Sequence, residues 1–529
     1  MLFNRVKSLD AIMATAEKKS LQRSLGAFQL TLLGIGAVIG TGIFVLTAEA
    51  AQKAGPGMLA SFLVAGFVCG VAALCYAELA SMVPVAGSAY TYTYAVVGEV
   101  MAWMVGWALI LEYAVGASAV AVGWSNHAVG LLHGLGVNFP AEISNADALM
   151  AKVQLMFGAA PTPDLMTALQ VGGWINLPAV VVAGFVTMLL VIGTTESARF
   201  NAILVVIKIA ALTAFIALTL PVLHAENFVP FAPTGTVGVF GAAASIFFAY
   251  VGFDAVSTAA EETRNPQRNI PIGLIGSLVI CTIFYVLVAS GAIGAIGAQP
   301  LTSAAGAVLA PGSAEMAGRC VAVVQQGLQE PLVCSKEALV HVLASIGWPA
   351  IGRLVGLAAV LALPSVVLMM MYGQTRIFFT MARDGLLPEK LSTVHPRFKT
   401  PHIVTIMTGC AAAIAAAILP VGRLADYSNS GTLFAFFMVA IAVMVLRLKN
   451  PERKRPFKTP LLWVVAPLAI IGCVVLYLSL PLTAILVLPI WGAIGLVVYF
   501  SYSRSRSHVG RGIAGSDGED DPPIYGVKM

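Results

Sequence analysis

Long apolar stretches separated by short polar connections make up most of this chain. A helix needs about 20 apolar residues to cross the hydrocarbon core of a bilayer, and stretches this long and uniformly apolar are not typical of barrel strands. The pattern therefore predicts an all-α membrane protein with twelve transmembrane helices. The apolar windows lie at 26–50, 57–80, 98–128, 176–195, 201–221, 237–258, 271–294, 346–380, 401–420, 430–448, 460–479 and 482–502.

The composition agrees with this class. Of the 529 residues, 59% are hydrophobic and only 10% are charged, whereas a soluble domain has about 25% charged residues. Mean hydropathy is +0.89. The sequence contains no CxxC and no HExxH motif, so we expect neither a zinc site nor another cofactor. We expect no enzyme activity and no nucleic-acid partner.

Basic residues are distributed unevenly between the two predicted faces. With both termini on one side, 23 of the 30 Lys and Arg residues fall on that side and six on the other. The positive-inside rule then predicts a multi-pass protein of the cell membrane with both termini in the cytoplasm. The predicted divisions are a tail (1–25), a ten-helix core (26–448), two additional helices (449–503) and a disordered tail (504–529).

Glycines interrupt the first and sixth apolar windows. The first contains four glycines within nine residues, from Gly34 to Gly42, and the sixth carries Gly252 and Asp254. Glycine weakens a helix by about 1 kcal/mol relative to alanine. Two interpretations remain open, which are close helix packing through pairs such as Gly36 and Gly40 and true breaks in both helices. Broken helices one and six are typical of transporters built as a five-plus-five inverted repeat.

Several motifs together resemble the cationic amino acid transporter family of the amino acid–polyamine–organocation (APC) superfamily. The resemblance implies the five-plus-five fold with two further C-terminal helices, and amino acid transport by alternating access. It is closer to bacterial members, which look like proton-coupled carriers with H⁺ as the coupling ion. The matching stretches are Gly36–Phe44, Val83–Tyr90, Leu111–Tyr113, Gly252–Glu262, Asn265–Arg268, Tyr372–Arg376 and Ala382–Pro388.

Broken helices suit a zwitterionic substrate. Free N–H groups at a helix start attract a carboxylate, and free carbonyls at a helix end attract an ammonium group. Motif matching and this electrostatic argument place the substrate carboxylate at Thr41, Gly42 and Ile43. They place the ammonium at the carbonyls near Ile39, Phe248, Ala249 and Val251. The ring of Phe248 is predicted to form a lid over the substrate.

Lys208 lies deep inside the fifth window. An ammonium at a helix centre costs about 2.5–3.5 kcal/mol on insertion scales. The position is about 13 Å from the cytoplasmic end at 1.5 Å per residue, which is beyond the reach of a snorkelling lysine. We therefore predict that Lys208 carries the coupling proton. The resemblance implies that this lysine stands where sodium-coupled relatives bind Na⁺.

Other polar residues in the predicted helices have less defined roles. Glu112 is interpreted either as a gating or selectivity residue or as a structural acid. Leu363 and Ser365, in the eighth helix, are possible selectivity residues, although Pro364 between them departs from the family pattern. Asp254 is expected a turn past the break, bracing the sixth helix.

Two long loops, at about 131–174 and 295–345, are not expected to form a folded domain. Cys320 and Cys334 lie together in the second loop, and their spacing leaves a disulfide and two free thiols equally open.

The sequence therefore predicts secondary active transport of L-amino acids, proton-coupled, with small or medium neutral substrates. The alternatives are a uniporter or exchanger of arginine and lysine, and a membrane sensor that binds amino acids without moving them. The expected partners are the amino acid and the lipid bilayer, and a single-span membrane partner is left open.

Overall fold

The computed structural model describes residues 5–7, 25–83, 88–193, 198–258, 263–303, 306–398 and 400–512. Some features named above lie outside these residues: most of the N-terminal tail, positions 84–87 of one motif, Glu261 and Glu262, and the C-terminal end from 513 onward.

The described residues are predominantly helical. In chain order the helices are α1 (Ala27–Val38), α2 (Thr41–Phe44), α3 (Leu46–Ala54), α4 (Met58–Met82), α5 (Ser88–Val96), α6 (Glu99–Gly134), α7 (Asp147–Met156), α8 (Pro163–Val171), α9 (Leu177–Ile192), α10 (Ala198–Thr219), α11 (Gly235–Ile246), α12 (Ala255–Thr258), α13 (Pro266–Ile296), α14 (Ala314–Gln325), α15 (Ala338–Ser345), α16 (Pro349–Arg383), α17 (His402–Ile418), α18 (Val421–Lys449), α19 (Leu462–Leu478), α20 (Leu482–Val498) and α21 (Arg504–Arg506). Two short strands, β1 (Ser144–Asn145) and β2 (Ile175–Asn176), pair antiparallel.

Seven helical segments in the described part are long and apolar enough to cross a membrane. Five shorter apolar helices accompany them, including α1 and α9. The chain is therefore a helical integral membrane protein. The count of twelve spans and the inverted repeat stay predictions.

The long helix α6 is the centre of the bundle. It packs most extensively against α16 and α18, while α13 packs against α1 and α4. The last two long helices lie outside this group, α19 against α18 and α20 against α6. Trp103 and Trp107 of α6 each donate an indole N–H to a carbonyl of α20 at 2.8 Å, which fixes α20 on the bundle.

The two ends of the described chain meet on one face, here called the terminal face. Arg5 forms an ion pair with Glu99 at 3.1 Å and donates to the carbonyl of Arg504 at 2.8 Å. Lys7 forms an ion pair with Asp384 at 2.8 Å. Because α6 begins at Glu99, its other end and the loop that follows lie on the opposite face, here called the loop face.

The two long loops pack together on the loop face through short helices that the sequence did not predict. Helices α7 and α8 of the first loop pack against α14 of the second, and Lys336 pairs with Asp147 between the loops at 3.1 Å. Cys320 and Cys334 form a disulfide. We call the described residues of 135–176 and 297–348 the loop cap. Its helices were missed because they are short and bury few apolar side chains.

Candidate substrate site between two broken helices

The first interruption lies between α1 and α2. Helix α1 ends at Val38, Ile39 is extended, Gly40 is non-helical, and α2 begins at Thr41. Helix α3 follows after the single residue Val45. The first N–H groups of a helix have no partner within it, so those of α2 point into the interruption. The predicted break of the first helix is present.

The second interruption follows α11. A single turn of 3₁₀-helix spans Phe247–Tyr250, Val251 is extended, and Gly252 has φ +114°. That φ lies in the region that favours glycine. Asp254 is part of the non-helical turn before α12. The expectation that Asp254 lies a turn past the break is therefore wrong, because the interruption extends further than the glycine position indicated.

The two interruptions are in direct contact. A Cβ atom built on Gly42 would lie 2.3 Å from the Cα of Ala249, and one on Gly252 would lie 3.0 Å from the carbonyl oxygen of Ala37. Only glycine allows the backbones to approach this closely. The glycines thus serve both interpretations of the sequence: Gly42 and Gly252 permit close packing at the point where the helices are broken.

Three side chains donate hydrogen bonds to backbone carbonyls that have lost their helical partners at the breaks. Lys208 of α10 is buried and donates to the carbonyl of Gly36 at 2.8 Å. Tyr285 of α13 places its hydroxyl 2.9 Å from the carbonyl of Val38 and 2.8 Å from that of Ala249. Lys208 and Tyr285 therefore tie α10 and α13 to the interruptions.

The third of these side chains belongs to α18. Asn429 donates its amide to the carbonyls of Ala244 and Ser245, at 2.8 and 3.1 Å, near the end of α11. Neither Asn429 nor Tyr285 was predicted from the sequence.

The structure brings the predicted substrate residues together. All seven are buried and lie at the two interruptions: Ile39, Thr41, Gly42, Ile43, Phe248, Ala249 and Val251. The hydroxyl of Thr41 is buried and makes no hydrogen bond to any residue that the structure describes. It is thus a polar group available to a ligand.

Gly116 of α6, apolar side chains of α16 and the hydroxyl of Ser428 in α18 complete the surroundings; the hydroxyl would lie 3.2 Å from a Cβ atom on Gly116. A Cβ atom on Gly116 would lie 3.6 Å from both the Phe248 ring and the sulfur of Met370. On the other side, a Cβ atom on Gly40 would lie 3.4 Å from Val366. Sequence reasoning missed Met370 and Val366, since one apolar residue in an apolar helix carries no distinguishing signal.

Leu363 and Ser365 of α16 were also predicted as possible selectivity residues. Leu363 is fully buried, and the hydroxyl of Ser365 donates to the carbonyl of Ala362 in its own helix at 2.8 Å. This local bond leaves the hydroxyl less available to a substrate.

Two buried acids lie close to the same region. Tyr113 donates its hydroxyl to Asp254 at 3.0 Å. Glu112, one turn before Gly116, is buried beside Thr432 and within electrostatic range of Asp254. Glu112 thus belongs to a polar cluster near the Phe248 side of the interruptions.

Comparisons with known proteins agree with this architecture. The amino acid permease family profile matches residues 25–501. The chain belongs to the amino acid permease family, within the APC superfamily.

Among similar proteins, the permease is 44% identical over 506 residues to the branched-chain amino acid permease BcaP of Bacillus subtilis, covering 96% of this chain and 98% of that protein. It is 39% identical over 504 residues to the methylthioribose transporter of the same organism, covering 95% and 98%. It is 34% identical over 458 residues to cationic amino acid transporter 2, vacuolar, of Arabidopsis thaliana, covering 85% of this chain and 64% of that protein.

Proposed function

We propose that this permease is a proton-coupled carrier of neutral, medium-sized L-amino acids in the cell membrane, with both termini in the cytoplasm. The observation that carries the proposal is the contact between two broken helices, with the buried, unbonded hydroxyl of Thr41 next to it, facing Gly123 of α6. Such a pair of breaks presents free N–H groups and carbonyls at one place, which a zwitterion satisfies together.

The substrate carboxylate is assigned to the start of α2, at Thr41, Gly42 and Ile43. The ammonium is assigned to carbonyls at Ile39, Phe248, Ala249 and Val251. Phe248 and Ala249 already accept one hydrogen bond each, from the N–H of Val251 at 3.2 Å and from Tyr285. A carbonyl has two lone pairs, so both retain one for the ammonium.

The side chain of the substrate is assigned to the apolar surroundings of Phe248, Met370, Val366 and Gly116. These groups suit an aliphatic chain better than a cation, which needs a buried carboxylate as partner. The name of the 44% identical relative, a branched-chain amino acid permease, supports the same class. Arginine and lysine would require Glu112 to reach the substrate.

Uptake of labelled leucine into proteoliposomes tests the function. With the outside more acidic, we expect accumulation above equilibrium that collapses when a protonophore is added. Excess valine or isoleucine should compete better than alanine, and arginine, lysine and methylthioribose should compete poorly. Binding without accumulation would favour a sensor, and better competition by arginine or by methylthioribose would overturn the substrate class.

The assigned carboxylate site is tested by Thr41→Val, which removes the free hydroxyl and keeps the shape. Loss of a hydrogen bond to a charged group costs about 1.5–3 kcal/mol, so we expect leucine affinity to fall at least about tenfold. Thr47→Val is the matched control because the Thr47 hydroxyl bonds the carbonyl of Ile43, at 2.7 Å, in the same region. Equal affinities for the wild type and Thr41→Val would remove Thr41 from the site. Gly42→Leu is a poorer test, since it would push Ala249 away.

Proton coupling is assigned to Lys208, whose neutralisation would weaken its hydrogen bond to the carbonyl of Gly36. We expect Lys208→Ala to lose accumulation driven by a pH gradient. Lys336→Ala, which changes an exposed lysine of the loop cap, should retain it. Accumulation by Lys208→Ala, or a requirement for Na⁺ in the wild type, would show that coupling runs elsewhere.

A further inference from the structure

Residues 499–512, the last that the structure describes, lie on the terminal face directly after α20. We call them the C-terminal segment. It begins with one π-helical turn, Tyr499–Ser503, continues as α21 and ends in turns up to residue 512. Because α20 belongs to a helical segment long and apolar enough to span the membrane, the C-terminal segment lies where the chain leaves the bilayer.

One side of the C-terminal segment is bonded to the bundle. Tyr499, Ser503 and Ser507 are buried and recur at every fourth residue, so they share one side of the helical turns. Tyr499 donates to one oxygen of the Glu99 carboxylate at 2.7 Å, and Ser507 donates to the other. Ser503 donates to the carbonyl of Leu386 at 2.6 Å. These bonds fix which side of the segment faces away from the protein.

Backbone contacts with the end of α16 support the same placement. The N–H of His508 donates to the carbonyl of Asp384 at 3.1 Å. Gly385 has φ +76°, and a Cβ atom there would lie 2.5 Å from the carbonyl oxygen of Arg506. A side chain at Gly385 would therefore push the segment away from α16. The orientation of the C-terminal segment is thus built into the bundle.

Three arginines lie on the exposed side of the C-terminal segment, namely Arg504, Arg506 and Arg511. The guanidinium of Arg506 stacks on the ring of Tyr502, 4.5 Å from its centroid, and donates to the Tyr502 hydroxyl at 3.2 Å. The Nε of Arg511 donates to the carbonyl of Ser505 at 3.2 Å. Because Ser505 stands between Arg504 and Arg506 in the sequence, this bond brings the third arginine back to the other two.

The positive charges of these arginines are not neutralised by the described part of the protein. None of the three forms an ion pair with a carboxylate there. The two acids that adjoin the segment are already paired, Glu99 with Arg5 at 3.1 Å and Asp384 with Lys7 at 2.8 Å. Each arginine keeps guanidinium N–H groups that can donate to an anion.

The depth of the arginines in the membrane follows from the end of α20. Val497 and Phe500 are exposed, and large apolar side chains exposed on a membrane span face lipid tails. Arg504 comes four residues after Phe500, which is about 6 Å at 1.5 Å per residue. The headgroup layer on each side of the hydrocarbon core is about 5–8 Å thick. The three arginines therefore stand at the level of the lipid phosphates.

We propose that the exposed side of the C-terminal segment binds the phosphate of an anionic phospholipid through Arg504, Arg506 and Arg511. A guanidinium suits phosphate because it can donate two parallel hydrogen bonds. Basic residues just beyond a membrane helix attract anionic lipid, and each raises the affinity by about fivefold. The site is independent of the transported substrate and of the coupling ion.

A lipid on the exposed side holds the C-terminal segment against the bundle. The carbonyl of Arg504 accepts a hydrogen bond from Arg5 at 2.8 Å, and Arg5 in turn pairs with Glu99. The segment therefore lies between the headgroup layer and the N-terminal end of the described chain. Detachment of the segment would require the release of the lipid as well as of the bonds to Glu99. Bound lipid should thus slow the opening of the segment.

Hydrogen exchange of the full-length wild-type protein in nanodiscs tests the site. One set of discs contains phosphatidylcholine alone, and the other contains equal parts of phosphatidylcholine and phosphatidylglycerol. We expect the amides of residues 504–512 to exchange at least about threefold more slowly in the anionic discs. High salt should reduce this difference, because it screens surface charges. Inorganic phosphate added to phosphatidylcholine discs should not reproduce it, because a free ion is not held at headgroup depth.

Two triple variants separate the site from general surface charge. The first replaces the three arginines of the C-terminal segment by glutamine and should lose the protection by phosphatidylglycerol. The control removes three exposed positive charges elsewhere on the terminal face and should keep it: Lys390→Gln, Arg397→Gln and Lys454→Gln. All six side chains are exposed, so we expect both variants to melt as the wild type does.

Native mass spectrometry of the same proteins in detergent gives a second measurement. We expect the wild type and the control variant to bind phosphatidylglycerol more tightly than phosphatidylcholine. In the arginine variant the affinity for phosphatidylglycerol should fall at least about tenfold, since three contributions of about fivefold are removed.

Equal exchange of the segment in both kinds of disc would overturn the proposal, and it is the result expected if the acidic stretch 517–521 already covers the arginines. Equal losses in the two triple variants would overturn it in favour of a general charge effect. Protection by inorganic phosphate alone would overturn it in favour of a free anion. Failure of the proposed function would be seen separately, as absence of leucine uptake by wild-type liposomes.

Discussion

Removing one hydroxyl at the centre of the bundle should separate the two interruptions without changing the packing around them. In Tyr285→Phe the ring keeps its contacts with Tyr250 and Phe62, whose ring centroids lie 5.2 and 5.8 Å away. What is lost is the hydroxyl that lies between the carbonyls of Val38 and Ala249.

The size of the effect follows from those two carbonyls. A hydroxyl has one proton, so the two bonds share it and their energies do not add. Leaving a buried acceptor without a partner costs about 1–3 kcal/mol. If only the joined arrangement binds substrate, affinity falls by the same free energy, which is about 5- to 150-fold at 1.4 kcal/mol per factor of ten.

The assay is equilibrium binding of leucine to purified protein, with a thermal melt of each variant. Tyr250→Phe is the matched control, because Tyr250 is equally buried but donates to the carbonyl of Phe62 in α4 at 3.0 Å. We expect both variants to melt earlier and only Tyr285→Phe to bind weakly. Wild-type affinity in Tyr285→Phe, or an equal loss in Tyr250→Phe, would refute the reasoning.

Three further predictions concern stability. Gly252→Ala should lower the melting temperature, since φ is +114° and the new Cβ would lie 3.0 Å from the carbonyl of Ala37; a melt unchanged from wild type would contradict this. Glu78→Gln should cost about 3–5 kcal/mol, because the buried carboxylate loses its ion pairs with Arg447 at 2.8 Å and with buried Arg455 at 3.3 Å, and chemical denaturation of the variant measures it. Burial raises the pKa of Glu337, in the loop cap, to about 8. The folded cap thus holds a proton that the unfolded chain releases, so its stability should fall as pH rises from 4.5 to about 8. Hydrogen exchange of the cap should show this fall in wild type and a smaller one in Glu337→Gln.

The sequence predicted the broken helices and Lys208 because each violates a strong rule. Glycines inside a spanning helix and a lysine at its centre are costly in lipid, so they stand out in a single sequence. The residues that complete the site follow no such rule. Tyr285 and Met370 are ordinary members of apolar helices, and only their position in the folded bundle gives them a role.

Polar residues near a helix end were missed for a different reason. The tenth apolar window begins at 430, whereas α18 begins at Val421. Asp426 and Asn429 lower the local hydropathy, so the first turns of α18 resembled a loop. In the fold, Asp426 pairs with Lys53 and Asn429 donates to carbonyls of α11. These partners are distant in sequence, so a hydropathy average over neighbouring residues cannot detect them.

The loop cap is a suitable surface for binding an antibody fragment. It rests on α6, where the Glu337 carboxylate lies against Gly130, and on α16, against which α15 packs. The cap is also bonded to α3, whose Gln52 amide donates to the carbonyls of Leu301 and Leu309 at 2.9 Å. An antibody fragment raised against the cap would therefore add a rigid fiducial mark for electron cryomicroscopy to a 55.0 kDa protein. Because the cap is bonded to α3, the fragment would also restrain the half-helix that follows the first interruption.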